Sequence, residues 1–404
     1  MTSAAAAIHD DTRARRNAIV LSIAQALSTS STVVLIATAG LIGADIAPNR
    51  SWATLPVSSF VIGTMISTIP ASLLMRRFGR KAGFVGGALI GLAGAVLSIV
   101  SIYLRDFGLF VLSTALHGSF AAAAQYYRFA AADDASPDFR PKAISWVLVG
   151  GVAAARFGTL IVMSTVELLA PILFAGCYVA TAMLAVASIG ALLFLETGQV
   201  VEIAGQEARP LSAIIAQPRF IAAVVCGMMS FGMMNLVMTA TPIAMFDCGF
   251  SVGDASWVIQ WHVLGMYVPS FFTGSLIARF GVERITGAGM VILAFAGIGA
   301  LAGIHFANFA VALVLLGIGW NFGYIGGTTM VTECYRPSER NKVQAVNDFA
   351  VFTTVAIASL TSGKLLDGLG WNAVNLAIFP MVAVGLGLLL WYTRLRPQAR
   401  EVIR

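Results

Sequence analysis

The chain has 404 residues, of which 58% are hydrophobic and 11% charged, and its mean hydropathy is +0.86. Soluble proteins carry about 25% charge, so a soluble enzyme is excluded and a bilayer-embedded chain is expected. The net charge of +6 does not indicate a nucleic-acid partner, because the basic residues stand in short clusters between apolar runs.

Residues 1–16 are polar, with Asp10, Asp11, Arg13, Arg15 and Arg16 ahead of the first apolar run and no small-residue cleavage site after a short core. The run itself, Ala18 to Gly43, is long enough to cross a bilayer and reads as a retained helix. Cutting at charge clusters and turn residues leaves twelve apolar stretches, at 17–43, 53–75, 82–103, 107–131, 143–166, 168–195, 218–246, 252–278, 286–304, 307–332, 343–365 and 371–393. Each is near the roughly 20 residues that span about 30 Å of hydrocarbon as a helix. The forty glycines against thirteen prolines suit helices that approach closely in lipid. The expected fold is an all-α membrane protein of twelve transmembrane helices. The polar interval 196–217 is expected to link an N-terminal bundle (17–195) to a C-terminal one (218–393), with cytoplasmic tails at 1–16 and 394–404.

The two bundles read as repeats. Arg77-Phe78-Gly79 recurs as Arg279-Phe280-Gly281 at an offset of 202, and the loop from Pro137 to Lys142 is echoed from Pro337 to Lys342 at an offset of 200. Of the 25 Lys and Arg, only Arg50, Arg105 and Lys364 fall in loops on one side, and Arg128 and Arg156 fall inside spans; the remaining twenty share the side of both termini. That asymmetry places both termini in the cytoplasm.

Twelve spans in two repeats, with Met75-Arg76-Arg77-Phe78-Gly79-Arg80-Lys81 between the second and third, resemble the major facilitator superfamily across essentially the whole chain. Arg77, Gly79 and Arg80 fit that family's conformational loop, while Arg76 stands where an Asp is usual. The segment from Gly319-Trp320-Asn321-Phe322 to Arg336-Pro337-Ser338-Glu339-Arg340 is similar to the tenth helix and following loop of many bacterial members.

Inside the spans the most distinctive feature is methionine: Met228, Met229, Met233, Met234, Met238, Met245 and Met266 place seven of fifteen Met within 39 residues. Met234 and Met238, and likewise His262 and Met266, sit at i,i+4 and so share a helical face. The turn between these two helices is centred near Phe250, with Met238 and His262 twelve residues from it and Met234 and Met266 sixteen. At about 1.5 Å per residue the pairs match in depth, near 18 and 24 Å. Thioether and imidazole donors suit copper, particularly Cu(I), and not the oxygen-seeking Mg²⁺, Ca²⁺ or Mn²⁺. For any one residue, packing is the simpler role, since Met fills gaps and a membrane His can bond a carbonyl. None of the four cysteines forms a CxxC pair; Cys226 and Cys248 are secondary metal candidates, about 33 Å apart along a continuous helix.

The paired motifs, Met-x-x-x-Met and His-x-x-x-Met, resemble the signature of CcoA-type copper importers, a bacterial branch of that superfamily. The resemblance implies that Met234, Met238, His262 and Met266 pass copper ion inward by alternating access, and that the copper serves assembly of cbb3-type cytochrome oxidase. It implies a bacterial inner-membrane location, cytoplasmic copper-handling proteins as partners, a monomer, and no cofactor.

Other embedded groups define the alternative, a carrier or exporter of a small organic solute, anions included. Arg156 is placed about 20 Å from the start of its span, where it could contact an anion. His117 and Arg128 share the fourth span, with Asp133 and Asp134 near enough in sequence to neutralise Arg128. Asp348 is expected to face the loop charges Arg340 and Lys342. A third class is a non-transporting metal sensor on a carrier fold. No Gly-x4-Gly-Lys-Ser/Thr loop occurs, so direct use of ATP is not expected.

Overall fold

A computed structural model describes residues 11–133, 135–136, 139–196, 209–336 and 339–401. The first half of the chain forms α1 (Thr12–Ile46), α2 (Leu55–Phe78), α3 (Arg80–Leu104), α4 (Phe107–Ala124), α5 (Tyr127–Asp133), α6 (Arg140–Thr165) and α7 (Ala175–Leu192). After the short α8 (Leu211–Ile215) follow α9 (Pro218–Asp247), α10 (Val252–Tyr267), α11 (Ser270–Phe280), α12 (Val282–Leu301), α13 (Phe306–Thr332), α14 (Arg340–Leu376) and α15 (Ile378–Glu401). Ten stretches are long and apolar enough to cross a bilayer, and α10 with α11 make one more span bent by 40°. One of the ten, Lys342–Leu395, holds 54 residues and turns at Gly370, whose φ of 78° only glycine adopts readily. Counted as two passes, it brings the total to the expected twelve, and the start of α1 and the end of α15 therefore emerge on one face, the terminal face.

Helix limits differ from the sequence reading in identifiable places. The sixth span begins at Ala175 and not 168, because Glu167 to Phe174 is a run of turns in which Pro171 lacks an N–H donor and Phe174 takes φ 67°. α1 begins at Thr12, five residues inside the expected tail, and Asp11 before it accepts bonds from the Ser136 backbone N–H and hydroxyl at 2.9 and 2.7 Å. The eleventh span runs past 365 to the turn at Gly370. Of the expected linker 196–217, residues 197–208 lie outside the described part, as do residues 1–10 and 402–404 of the tails.

The echoed tripeptides share a geometry. Gly79 has φ 87° and ψ 161° between α2 and α3, and Gly281 has φ 90° and ψ 147° between α11 and α12. In each, the guanidinium of the preceding Arg lies over the adjacent Phe ring: Arg77 on Phe78 at 5.3 Å and Arg279 on Phe280 at 5.2 Å. The glycine allows the chain to reverse within one residue, and the Phe, 61% and 44% exposed at the two sites, offers its face to the cation.

Small residues set the helix spacing. A Cβ on Gly63 of α2 would stand 2.0 Å from the Ala115 carbonyl oxygen, and one on Gly118 of α4 2.4 Å from that of Phe60, so α2 and α4 touch backbone to backbone. At the terminal face, Glu339 at the head of α14 is almost fully buried. It accepts both guanidinium bonds of Arg209 at 2.8 Å and the backbone N–H groups of Arg209 and Arg336 at 2.9 and 2.8 Å. The Arg209 hydrogen bonds hold the Glu339 carboxyl well below the usual carboxylate range, and Glu339 in turn raises Arg209.

Candidate functional site

A central cavity opens between the two halves, with about 1030 Å³ of free space, its mouth included. From the first half its polar lining comes from Gln25, Ser28, Thr29 and Thr32 of α1, Thr64 of α2 and Gln125 at the end of α4. From the second half come Phe231, Met234 and Met238 of α9, Met266 and Tyr267 of α10, and Phe352 of α14; Asn235 is the one amide among them. No charged side chain lines it among the described residues.

Two interrupted helices border this space. The fourth span breaks at Gln125 and Tyr126, between α4 and α5, and the Gln125 side chain is exposed at the cavity rim. The eighth bends between α10 and α11, where Pro269 removes a helical donor just beyond Tyr267. Non-helical backbone at membrane depth is tolerated where it lines a cavity, and such breaks accompany substrate sites in transporters.

The cavity is sealed toward the face opposite the termini. There the Ser58 hydroxyl donates to Ser359 Oγ at 2.8 Å, Thr54 to the Ser359 carbonyl at 3.3 Å, and Thr159 to the Ser256 carbonyl at 3.3 Å, each joining one half to the other. Arg50 and Asp247 pair across the same seam. One turn nearer the terminal face than the cavity, Arg128 of α5 and Asp348 of α14 stand within electrostatic reach, although they form no ion pair within 4.0 Å among the described residues. Asp348 thus lies within electrostatic range of Arg128 and of the hydroxyls of Tyr126 and Tyr324, and the neighbouring Asn347 donates to it at 3.0 Å. Of the two loop charges expected to face it, the Arg340 side chain lies outside the described part, and Lys342 is exposed. The side chain of Asp133 and all of Asp134, expected beside Arg128, lie outside the described part.

Three of the four expected copper donors line the cavity, and the fourth stands apart from its lining. Met234, Met238 and Met266 line the cavity, but the fully buried His262 turns to α13, its Nδ1 2.8 Å from the Leu313 carbonyl. The cavity face of α10 runs through Ile259, Val263 and Met266, and His262 lies about 70° off its centre, at the edge nearer Met266. Equal depth below a turn matches residues along the axis and says nothing of the angle around it. Cys226 is buried with Sγ 3.5 Å from the Gly385 carbonyl, and Cys248 is exposed at the end of α9, so neither reaches the methionines. No group of three His, Cys, Asp or Glu suited to a metal occurs among the described residues.

Arg156, the expected anion contact, is also outside the cavity. It is exposed in the outward stripe of α6 with Val149, Phe157, Leu160 and Met163. His117 is buried between Phe60 and Phe120, each 6.2 Å away by ring centroid, and packs behind the cavity wall. Sequence reading missed the amides Gln25, Gln125 and Asn235 and the aromatics Phe231, Tyr267 and Phe352. The first and third of the amides carried a usable signal, since an amide inside an apolar span is costly to bury without a purpose.

Helices packed around one central cavity, sealed at one face by contacts between the halves, make up a membrane transporter. The family model described as Major Facilitator Superfamily matches residues 223–404. The riboflavin transporter RfnT of Brucella anthropi is 45% identical over 392 residues, 96% of this chain and 98% of its own. An uncharacterized MFS-type transporter of Bacillus subtilis, YddS, is 27% identical over 89% of this chain and 86% of its own. Among solved structures, the nucleoside transporter NupG is similar at a TM-score of 0.70 and 15% identity, covering 94% of this chain and 99% of its own. The transporter FucP in its outward conformation gives 0.62 at 16% identity, covering 94% and 98%. The chain belongs to the major facilitator superfamily. It is a multi-pass membrane transporter of a small solute and not an enzyme.

Proposed function

We propose that the protein carries riboflavin across the bacterial inner membrane, with both termini in the cytoplasm and the cavity as the flavin site. The observation that carries this reading is the lining: aromatic rings, thioethers and uncharged amides and hydroxyls, without a fixed charge. Riboflavin is a flat, uncharged three-ring system with a polar pyrimidine-dione edge and a chain of hydroxyls, and such a wall solvates it without a counter-ion. The relation to RfnT at 45% identity over nearly the full chain supports the same substrate. The expectation of copper import finds no support in the comparisons, since the relative that is 45% identical is named as a riboflavin transporter. The excess of Lys and Arg on the terminal side supports the orientation.

The test is uptake of labelled riboflavin by a riboflavin-requiring bacterium that lacks its own uptake system. Expression of this chain is expected to restore uptake and growth on low external riboflavin, with copper salts neither competing nor required. Inserted protein that leaves riboflavin uptake at the level of the empty strain would overturn the reading.

A further inference from the structure

The two walls of the cavity differ in chemistry, and the difference follows the boundary between the halves. Polar side chains reach it almost entirely from the first half: Gln25, Ser28, Thr29, Thr32, Thr64 and Gln125. The facing wall is mainly aromatic and thioether, with Phe231, Phe352 and Tyr267 beside Met234, Met238 and Met266; Asn235 is its one amide, and Phe60 is the one aromatic ring on the polar side.

The aromatic wall is held rigidly from behind. Phe231 meets the rings of Trp320 and Tyr324 edge to face at 5.4 and 5.1 Å, and Phe352 lies 5.9 Å from it at a 55° tilt. Trp320 and Tyr324 are themselves stacked at 5.2 Å and 17°. Four rings from α9, α13 and α14 thus fix one another, and the outermost two present their surfaces to the cavity. A preorganised aromatic face binds a flat ring without first losing rotamer freedom. The polar wall is adaptable by comparison. Gln25 donates to Thr29 at 2.8 Å, a bond that a ligand hydroxyl can replace, and Gln125 sits exposed at the helix break.

We infer, resting on the flavin reading above, that the two halves divide recognition: the second half grips the ring system through Phe231 and Phe352, and the first half reads the ribityl hydroxyls through Gln25, Thr29 and Gln125. Affinity for the flat ring therefore comes from one wall, and discrimination between flavins that differ only in the side chain comes from the other. The halves separate and rejoin in alternating access, so a ligand bound in this way touches both, and only a flavin with its hydroxyl chain bridges the seam.

The test compares riboflavin with lumiflavin, which keeps the ring and replaces the ribityl chain with a methyl group. Purified protein is titrated with each flavin and binding followed by quenching of flavin fluorescence. The wild type is expected to bind riboflavin more tightly. The paired change Gln25→Leu with Gln125→Leu, and separately the milder Thr29→Val, should weaken riboflavin by about tenfold, the weight of one or two net hydrogen bonds, and leave lumiflavin unchanged. Phe231→Ala should weaken both flavins by a similar factor. Wild-type protein that binds neither flavin overturns the substrate reading and this inference together. Wild-type protein that binds riboflavin while the polar-wall variants weaken both flavins alike, or neither, overturns the division of roles alone, as does a Phe231→Ala that spares lumiflavin.

Discussion

The Ser58 hydroxyl donates to the Ser359 hydroxyl at 2.8 Å and so joins α2 to α14 across the seam, on the side of the cavity away from the termini. Oxygen atoms this close place the two side chains within reach of a disulfide after modest adjustment. Cysteine at both positions, oxidised in membranes, is expected to hold this face shut and abolish substrate uptake, with reductant restoring it. Each single cysteine should leave uptake near the wild-type rate. Undiminished transport by the fully crosslinked pair would show that this seam does not open during the cycle.

His262 separates the copper and flavin readings. Its Nδ1 makes a second bond to the Leu313 carbonyl, which α13 already pairs within the helix, and so ties α10 to α13; such a bond is worth about 0.5–1.5 kcal/mol net, to which the lost packing of a fully buried ring adds. His262→Leu should therefore lower the melting temperature of the purified protein by several degrees while leaving its riboflavin affinity within about twofold. Copper should produce no stabilisation of the wild type in the same assay. Stabilisation by Cu(I) that disappears with His262→Leu would restore the metal site.

Gly63 and Gly118 test the packing independently of function. A Cβ at Gly63 would overlap the Ala115 carbonyl oxygen at 2.0 Å, a backbone atom that can move only if α2 and α4 separate. Gly63→Val is expected to destabilise by more than about 4 kcal/mol, the range of severe core overpacking, and to leave little folded protein in the membrane. Gly190, whose added Cβ meets nothing within 4 Å, is the control, and Gly190→Ala should express normally.

The span count, the turn glycines and the repeat were legible in the sequence, because hydrocarbon thickness fixes helix length and Gly79 and Gly281 mark reversals that other residues make poorly. The site was legible only in part. Met234, Met238 and Met266 were found on the right helices and do line the cavity, but i,i+4 spacing fixes which residues share a face and not which neighbour that face meets. His262 shares a stripe with Met266 yet its ring sits against α13, a fact set by how α10 rotates in the bundle. Arg156 attracted notice as a charge at depth, and the outward stripe of α6 that exposes it emerges only from the packing of α6 against α1 and α10. The aromatic wall was hidden for a related reason: Phe231, Trp320, Tyr324 and Phe352 come from three helices and are unremarkable in any one of them.

Glu339 ties the end of the linker to the head of α14 through Arg209 and two backbone donors. Because its folded-state carboxyl titrates below the unfolded value of about 4.3, its contribution is present above that pH and is lost as pH falls through the folded value. Glu339→Gln should melt at a lower temperature than wild type, with a gap that stays constant from about pH 8 to pH 5 and narrows only in stronger acid. A gap that closes already near neutrality would mean the carboxylate is not held by Arg209.

Arg128 and Asp348 stand one turn to the terminal side of the cavity, on opposite halves, attracted to each other but not in contact. When the halves rock to open the far face, the terminal side must close, and these are the charges that then approach. Arg128→Gln leaves Asp348 half-buried without its cation, and Asp348→Asn leaves Arg128 without its anion, so each should slow riboflavin uptake by about tenfold. If the pair acts as a unit, the two losses are not additive: the double variant should be no worse than either single one, a coupling of about 0.5–3 kcal/mol. The reciprocal exchange, Arg128→Asp with Asp348→Arg, should recover part of the rate. Initial uptake rates for the two singles, the double and the exchange decide it, and a double variant whose loss equals the product of the single losses would show that the two charges act separately.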